Sequence, residues 1–229
     1  MVTGRPGTGK TTLINDITTE LTDQGNLFAS LTSTQIEADD LLRLVVLKFG
    51  LDGETEHKSL LINRLETFLQ RVHREGRRPL LIVDEAQDLA SSALEELRLL
   101  TNLQAENQPL LQIFLVGQDE LRQKVLAQGL EQLHQRIVAA CNLAPLTLDS
   151  VEAYIKHRLS HVGWENNPEL QKNIYSPIHD HSLGIPRVVN QICSRLLLHG
   201  MVEEKLSLDG DDVLEVIDSL NEEQLLPAI

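Results

Sequence analysis

Two hydrophobic spacings alternate over residues 1–146 of this 229-residue chain. One is the three- and four-residue spacing of a helix with a single buried face. It first occurs at Leu13, Ile14, Ile17 and Leu21. The other consists of short, unbroken apolar runs, which are typical of strands buried on both faces of a sheet. These runs predict strands over residues 27–31, 80–83, 111–116 and 137–143.

Polar residues and glycines indicate where the helices between these strands begin and end. Asp39 is a candidate cap for a helix that ends at Gly50, and the pair Ser92 and Glu95 has the capping-box spacing. A longer amphipathic helix ends at Gly76. Because strands and helices alternate, the pattern predicts an α/β fold, with a parallel sheet and helices on both of its faces.

The pattern changes after Pro145, beyond which no further strand is predicted. Helices are predicted there over residues 150–162, 168–182, 186–199 and 209–220. Pro168 fits the first turn of the second helix, and Gly200 fits the end of the third. We therefore expect an α/β domain over residues 1–146 and a small all-helical domain over residues 147–229.

A phosphate-binding motif of the form G-x-x-x-x-G-K-[ST] lies near the first residue. The motif lies within residues 4–12, and its candidate nucleotide-binding residues are Gly4, Pro6, Gly7, Thr8, Gly9, Lys10, Thr11 and Thr12. In such a P-loop, backbone N–H groups and the amino end of the next helix surround phosphate oxygens. Lys10 would reach the β- and γ-phosphates, and the Thr11 hydroxyl would bind Mg²⁺. The motif thus predicts a nucleoside triphosphate site.

Two acidic residues, Asp84 and Glu85, directly follow the apolar run 80–83. We expect this strand to lie beside the strand that precedes the P-loop. Asp84 would then hold Mg²⁺, and Glu85 would act as general base for the attacking water. The alternative is a buried strand that simply ends in charged residues. The complete P-loop earlier in the chain favours the functional interpretation.

Three further residues are candidates for contacts with the γ-phosphate. Gln118 follows the strand 111–116 and would orient water, although it also suits a helix cap, and Asp119 competes for the role. Arg136, acting from a neighbouring subunit, would supply positive charge as the β–γ bond breaks. Arg187 follows a proline that fits the first turn of a helix, and it would contact the γ-phosphate. For both arginines the alternative is a solvated surface residue.

The charge of the chain argues against one class of function. Its formal net charge of −14 disfavours non-specific binding to DNA, RNA or anionic lipid, because phosphate contacts need a basic face. No apolar stretch is long enough to predict a transmembrane helix, and the first residues do not resemble a signal peptide. The expected location is therefore the cytoplasm.

Two pairs of side chains are interpreted as having no catalytic or metal-binding role. Cys141 and Cys193 lie far apart in the sequence, which favours two small buried residues in a reducing compartment. His157 and His161 have a spacing that a metal accepts on a helix, but no third ligand is apparent nearby. Exposed histidines are the favoured interpretation.

Five motifs occur in an order that resembles a known family. They are the P-loop, Asp-Glu-Ala-Gln, Gly-Gln-Asp-Glu-Leu, Leu-His-Gln-Arg-Ile and Gly-Ile-Pro-Arg. The chain resembles the secretion-type AAA+ ATPases of the general secretion pathway protein A (ExeA-like) group. Residues 34–42, 86–89, 97–102 and 157–164 look like the subfamily found beside exosortase and exopolysaccharide loci in Gram-negative bacteria. The resemblance implies a P-loop NTPase domain followed by a helical lid.

The resemblance also implies a role for each candidate residue. Lys10 and Thr11 correspond to Walker A, Asp84 and Glu85 to Walker B, Gln118 to sensor 1, Arg136 to the arginine finger and Arg187 to sensor 2. The implied activity is ATP hydrolysis with Mg²⁺ in a homo-oligomer. The implied partners are envelope secretion or polysaccharide-assembly proteins, and the implied location is the cytoplasm, peripheral to the inner membrane.

One departure from the family concerns the first strand. Members carry a longer segment before the P-loop, whereas Met1, Val2 and Thr3 stand there in this chain. This predicts a truncated first strand and two exposed strand edges in the middle of the sheet. Two other functions remain open: a nucleic-acid-associated ATPase of the transposition or initiator type, which the net charge disfavours, and a truncated scaffold without catalytic activity.

Overall fold

The computed structural model describes residues 1–32, 36–55 and 57–225, so the first two residues of the motif 34–42 lie outside the described residues. The chain forms two compact units. The first contains Met1–Pro6 and Lys10–Leu143, and the second contains Gly7–Gly9 and the chain from Ala144 onward. Each unit has its own hydrophobic core.

The helices and strands of each unit are named here in chain order. The first unit contains β1 (Val2–Gly4), α1 (Lys10–Asp23), β2 (Phe28–Thr32), α2 (Ala38–Lys48), α3 (Lys58–Arg74), β3 (Leu80–Asp84), α4 (Ser91–Leu100), β4 (Gln104–Ala105), β5 (Gln108–Pro109), β6 (Gln112–Gly117), α5 (Asp119–Leu126), α6 (Glu131–Arg136) and β7 (Cys141–Leu143). The second unit contains α7 (Leu148–His161), β8 (Glu169–Leu170), α8 (Tyr175–Ser182), α9 (Pro186–Val202), β9 (Ser207–Leu208) and α10 (Gly210–Leu225).

Five parallel strands form the sheet of the first unit, in the order β2-β3-β6-β1-β7. The parallel α/β fold predicted from the alternating spacings is confirmed. The expectation that β3 lies beside β1 is wrong, because β6 lies between them and pairs with both. This central place gives β6 backbone partners on each side.

Alternate residues of β3 face two different layers of helices. Leu80 and Ile82 pack with Ile14 of α1 in a small cluster on one face of the sheet. Leu81 and Val83 point to the opposite face and join the large core that α2, α3, α4, α5 and α6 form there. The four apolar side chains of β3 are all buried. The apolar run 80–83 therefore has the two-sided burial that its sequence predicts.

The three-residue strand β1 is paired along both of its edges. Val2 lies opposite Val116 of β6 and opposite Cys141 of β7. Next to this pair, the Cys141 N–H donates to the Met1 carbonyl oxygen at 3.0 Å. The exposed strand edges expected at this place are therefore not found at Val2 and Thr3. β6 continues toward its own amino end, where a groove of about 540 Å³ lies beside Phe114.

Two predicted helix caps are wrong. α2 begins after Glu37 and α4 begins after Ala90, so Asp39 and Ser92 lie inside the first turn of their helices. Neither of the observed cap residues, Glu37 and Ala90, accepts a capping hydrogen bond from the first turn of its own helix. The Ser92 hydroxyl instead donates to the Glu37 carboxylate at 3.4 Å. These helix starts are held by packing of their apolar faces rather than by capping chemistry.

The second unit is a helical bundle with one feature that the pattern missed. Its helices α7, α8, α9 and α10 share a single apolar core. β8 and β9, of two residues each, pair in parallel, so the unit is not all-helical. α8 begins at Tyr175 rather than at Pro168. Two-residue strands carry no periodicity, which is why the sequence pattern predicts neither of them.

Gly200 does not end a helix, because α9 continues past it to Val202. A Cβ at this position would lie 2.9 Å from the Leu208 side chain of β9. The glycine therefore allows α9 to pack closely against the strand pair. The prediction failed because the same residue type serves helix ends and close approaches.

The two cysteines differ in exposure. Cys141 is exposed, so the interpretation of both cysteines as buried residues is wrong for this one. Cys193 is largely enclosed in the second unit, and burial raises the pKa of its thiol to about 12. Because the thiolate is the reactive form, Cys193 is unreactive at neutral pH. In the part of the chain that the structure describes, no helix is long and apolar enough to span a membrane.

Two glycines of the second unit offer a matched test of backbone crowding. Gly184 has φ +70, and a Cβ there would overlap the Leu146 carbonyl oxygen, whereas Gly163 has φ +76 and open space around it. We expect Gly163→Ala to cost about 1 kcal/mol from its backbone conformation alone. Gly184→Ala should cost about 2–4 kcal/mol, because the backbone must also move. Urea denaturation followed by circular dichroism measures both, and equal losses would contradict the crowding argument.

Candidate functional site

Three parallel strands end at the same edge of the sheet. β1 ends at Gly4, β3 ends at Asp84 and β6 ends at Gly117, with β6 in the middle of the three. In parallel α/β folds, ligands bind outside the carboxyl ends of the strands. The candidate residues Asp84, Glu85 and Gln118 therefore emerge at the edge where β1 leads into the P-loop.

Lys10 is held on the first part of the P-loop. Its ammonium donates to the carbonyl oxygens of Gly4 at 2.8 Å and Arg5 at 3.1 Å. The residue is only 7% exposed, although it carries a charge. α1 begins at Lys10, so the unpaired N–H groups of its first turn lie next to the P-loop, with Thr11 and Thr12 among them. A lysine ammonium, threonine hydroxyls and the amino end of a helix are the groups with which a P-loop binds phosphate and its cation.

Gly7 and Arg187 are in contact within the second unit. The Arg187 N–H donates to the Gly7 carbonyl oxygen at 3.2 Å. A Cβ at Gly7 would lie 2.8 Å from the Arg187 Cβ, and Gly7 has φ +83. The glycine therefore permits both the left-handed turn and the close approach. The structure brings the main chain of Arg187 to Gly7, while the Arg187 side chain is exposed.

Glu85 has an unusual backbone conformation. It has φ 50 and ψ 39, in the left-handed region that non-glycine residues rarely adopt. Its N–H donates to the Asp84 carboxylate at 2.9 Å. The chain turns sharply here, from β3 into a 3₁₀ turn at Ala86–Asp88. Such a turn directs the Glu85 side chain along the sheet edge instead of continuing the strand.

The Glu85 carboxylate contacts two glutamine amides. Gln87 Nε2 donates to Glu85 Oε2 at 2.8 Å, and Gln118 Nε2 approaches the same oxygen at 3.5 Å. Asp119, the competitor of Gln118, instead accepts a bond from the Asn142 side chain at 3.3 Å. The structure therefore brings Gln118, rather than Asp119, to Glu85. Gln118 also precedes α5, but its side chain does not cap that helix.

Gln87 was missed as a site residue by sequence reasoning. Its Oε1 accepts a hydrogen bond from the Gln118 N–H at 3.0 Å, so its amide joins the turn after β3 to the end of β6. Lys124 of α5 donates to the Gln87 carbonyl oxygen at 3.0 Å and also to that of Leu89. The signal in the sequence is the place of Gln87 as the last residue of the Asp-Glu-Ala-Gln motif, two positions after Glu85.

Arg136 contacts Asn102 rather than the glutamine amides near Glu85. It is the last residue of α6, it is exposed, and its guanidinium donates to the Asn102 side chain at 2.8 Å. An exposed guanidinium held by one side chain is available to another molecule. The structure therefore places Arg136 at the surface of the first unit.

The candidate metal ligands supply oxygen atoms. Mg²⁺ prefers oxygen ligands, and the Thr11 hydroxyl and the Asp84 carboxylate both fit that preference. The Asp84 carboxylate has two oxygens, and Oδ1 accepts the Glu85 N–H. His157 and His161 have ring centres 4.3 Å apart. Over the described ranges of the chain, no three or more His, Cys, Asp or Glu side chains form a group that could hold a metal.

The sequence matches the family model of the AAA domain over residues 1–125. It is also 34% identical over 226 residues to general secretion pathway protein A of Aeromonas hydrophila. That alignment covers 95% of this chain but only 41% of the other protein. The chain thus spans less than half the length of this curated relative.

Several solved structures have a similar fold. Cdc6p from Pyrobaculum aerophilum has a TM-score of 0.70 at 16% identity, covering 100% of this chain and 61% of that one. The Aeropyrum pernix ORC2 protein, in ADPNP-ADP complexes, has a TM-score of 0.66 at 16% identity, covering 99% and 64%. The Thermotoga maritima RuvB Holliday junction branch migration motor has 0.60 at 20%, covering 96% and 61%. Identities this low show a shared fold alone, and the fold implied by the resemblance is confirmed.

Proposed function

This chain belongs to the AAA domain family, and we propose that it binds ATP with Mg²⁺ and hydrolyses it. One observation carries the proposal. The Glu85 carboxylate is held by the amides of Gln87 and Gln118 at the sheet edge where β1 leads into the P-loop. A carboxylate fixed at this edge is suited to accept a proton from water. ADPNP and ADP in the similarly folded ORC2 protein support the choice of ligand.

The P-loop would bind the phosphates of ATP. Its backbone N–H groups surround the phosphate oxygens, and the Lys10 ammonium exchanges its bonds to Gly4 and Arg5 for bonds to the β- and γ-phosphates. Thr11 and Asp84 would hold Mg²⁺, which neutralises phosphate charge when bound. The proposed domains that carry these roles are residues 1–146, with the nucleotide site, and the lid over residues 147–229.

Hydrolysis would proceed by direct attack of water. The water oxygen forms a bond to the γ-phosphorus while the bond to the bridging β–γ oxygen breaks, and Glu85 accepts the proton that water loses. Gln118 orients the water from the end of β6. Arg187 contacts the γ-phosphate, so that the start of α9 responds to whether the γ-phosphate is present. Its main-chain bond to Gly7 supports this role.

Two substitutions test the site. We expect Lys10→Ala to lower affinity for a fluorescent ATP analogue at least about 10-fold, because the phosphates lose a charge-assisted partner. Glu85→Gln should bind the analogue normally but hydrolyse ATP about 100-fold or more slowly, because its amide cannot accept the proton.

Two control variants accompany these substitutions. Lys156→Ala removes an exposed lysine of α7, and Glu66→Gln changes a glutamate that accepts a bond from a glutamine on α3. Neither should alter binding or hydrolysis. Parental hydrolysis by both Lys10→Ala and Glu85→Gln would show that this is not the site.

We further propose that the active form is a homo-oligomer in which Arg136 acts on the nucleotide of a neighbour. The exposed guanidinium at the end of α6 supports this role, since a contact with another subunit requires an accessible side chain. Added positive charge stabilises the transition state of phosphoryl transfer.

Mixing two inactive variants tests this role. Arg136→Ala should lose hydrolysis about 10³-fold, as expected for removal of an arginine finger. Added Glu85→Gln protein supplies an intact Arg136 and should restore part of the lost activity. The exposed Arg158→Ala serves as the control and should hydrolyse ATP normally. A mixture no more active than its two components would contradict action between subunits.

We propose envelope secretion or polysaccharide assembly as the process served, at the cytoplasmic face of the inner membrane, where ATP is available. The identity of 34% to general secretion pathway protein A supports a secretion role. The finer assignment is to the ATPases of exosortase and exopolysaccharide loci. The net charge of −14 disfavours the alternative of a nucleic-acid-associated ATPase.

Complementation in the source bacterium tests the process. Loss of the gene should reduce either extracellular polysaccharide or secreted protein, and the parental gene should restore it. The Lys10→Ala gene should fail to restore it at equal protein level, because nucleotide binding is lost. Loss of polysaccharide with normal protein secretion would support the finer assignment, and loss of secreted protein would support the secretion role. Full restoration by Lys10→Ala would contradict an ATP-driven role.

A further inference from the structure

The side chain of Gln87 makes a bond at each end of its amide. The Gln118 backbone N–H can only donate, so the atom of Gln87 that faces it must be the oxygen. The nitrogen must then face Glu85, whose ionised carboxylate can only accept. The two partners therefore fix the orientation of the amide. At 2.8 Å and 3.0 Å, both bonds have ordinary hydrogen-bond lengths.

We propose that Gln87 is a positioning residue for hydrolysis, which aims the Glu85 carboxylate and ties its position to the end of β6. This inference rests on the proposed function, because it acts through the proposed general base. Gln87 is not among the residues to which the resemblance assigns a role. Gln87 itself touches Glu85, Gln118 and Asp88 rather than the reacting atoms.

The backbone at Glu85 explains why such a residue is needed. A left-handed conformation costs a non-glycine residue about 1–2 kcal/mol and persists only where neighbouring contacts hold it. The Asp84 carboxylate holds the Glu85 N–H, and Gln87 holds the side chain. Without the Gln87 amide, the carboxylate keeps only the longer contact with Gln118, and the turn loses one of the contacts that maintain it.

Two other residues help to place Gln87. Gly117 leaves room for its side chain, and Lys124 holds its main chain. A Cβ at Gly117 would lie 2.6 Å from Gln87 Oε1, so only glycine leaves room for this amide beside β6. Lys124 fixes the main chain of Gln87 from α5. Gln87 is thus held at its main chain by α5 and at its side-chain amide by the end of β6, as expected for a group that must keep one orientation.

Substitutions of Gln87 in the full chain test the inference. Gln87→Leu removes both bonds at similar size, and Gln87→Glu keeps an acceptor for Gln118 but repels Glu85. Each should lower kcat about 10- to 100-fold and change KM for ATP less than about 2-fold, since the phosphate contacts are unaffected. Gln70→Leu is the matched control, because Gln70 also donates to a glutamate, Glu66, on the surface of α3.

A double-mutant cycle separates positioning from general structural damage. If Gln87 acts through Glu85, then Gln87→Leu should lower single-turnover hydrolysis less than about 2-fold in a Glu85→Gln background. A structural role would instead give the same 10- to 100-fold loss in both backgrounds and a matching fall in Tm.

The outcomes distinguish this inference from the proposed function. Parental hydrolysis by Glu85→Gln would overturn the proposed function and the inference together. Slow hydrolysis by Glu85→Gln with parental kcat for Gln87→Leu, or with equal losses in both backgrounds, would overturn the inference alone. Loss of activity in Gln87→Leu that depends on Glu85, with unchanged Tm and KM, would support it.

Discussion

The pairing of β6 with both β1 and β3 is the constraint on which the candidate site depends. It places the ends of three parallel strands in one row, so that Gln118 after β6 lies next to Glu85 after β3. Had β1 taken the place of β6 beside β3, the residue after β6 would lie beyond β1 and one strand farther from Glu85. The order of the strands therefore decides which polar side chain accompanies the acidic pair.

Short-range polar contacts then turn this row into a connected group. The strand order brings the turns after β3 and β6 together, but it does not fix their side chains. The Gln87 amide does so, and Gly117 leaves the space that the amide occupies. The strand pairing brings the turns after β3 and β6 together. Gly117 leaves room for the Gln87 amide, and this amide then orients the Glu85 carboxylate.

The sequence predicts those features that depend on neighbours along the chain. The burial of β3 on both faces follows from the run 80–83, and Gly50 and Gly76 follow the ends of their helices with φ near +75. The place of β6 between β1 and β3 is a matter of long-range pairing, which spacing along the chain does not encode. The β8 and β9 pair is too short to have a period.

Site residues show the same division between local and long-range information. The P-loop and the Asp84 and Glu85 pair are contiguous patterns, so they can be read from the chain. The contact of Gln87 with Gln118 joins residues that are 31 positions apart. The Asp-Glu-Ala-Gln motif marks the position of this glutamine but does not indicate the partner of its side chain. Its importance appears only once the two strand ends are known to be neighbours.

An acidic pair after a buried strand does not by itself fix the orientation of its carboxylates. Glu85 is not aimed by β3, because its left-handed backbone takes it out of the strand direction. The conformation has a cost, and the contacts from Asp84 and Gln87 offset it. The same two acids without a glycine at the end of the next strand and an amide in the turn would present a differently oriented carboxylate. The chemistry of the pair therefore depends on residues outside it, and the orientation of the proposed general base depends on the row of strand ends as a whole.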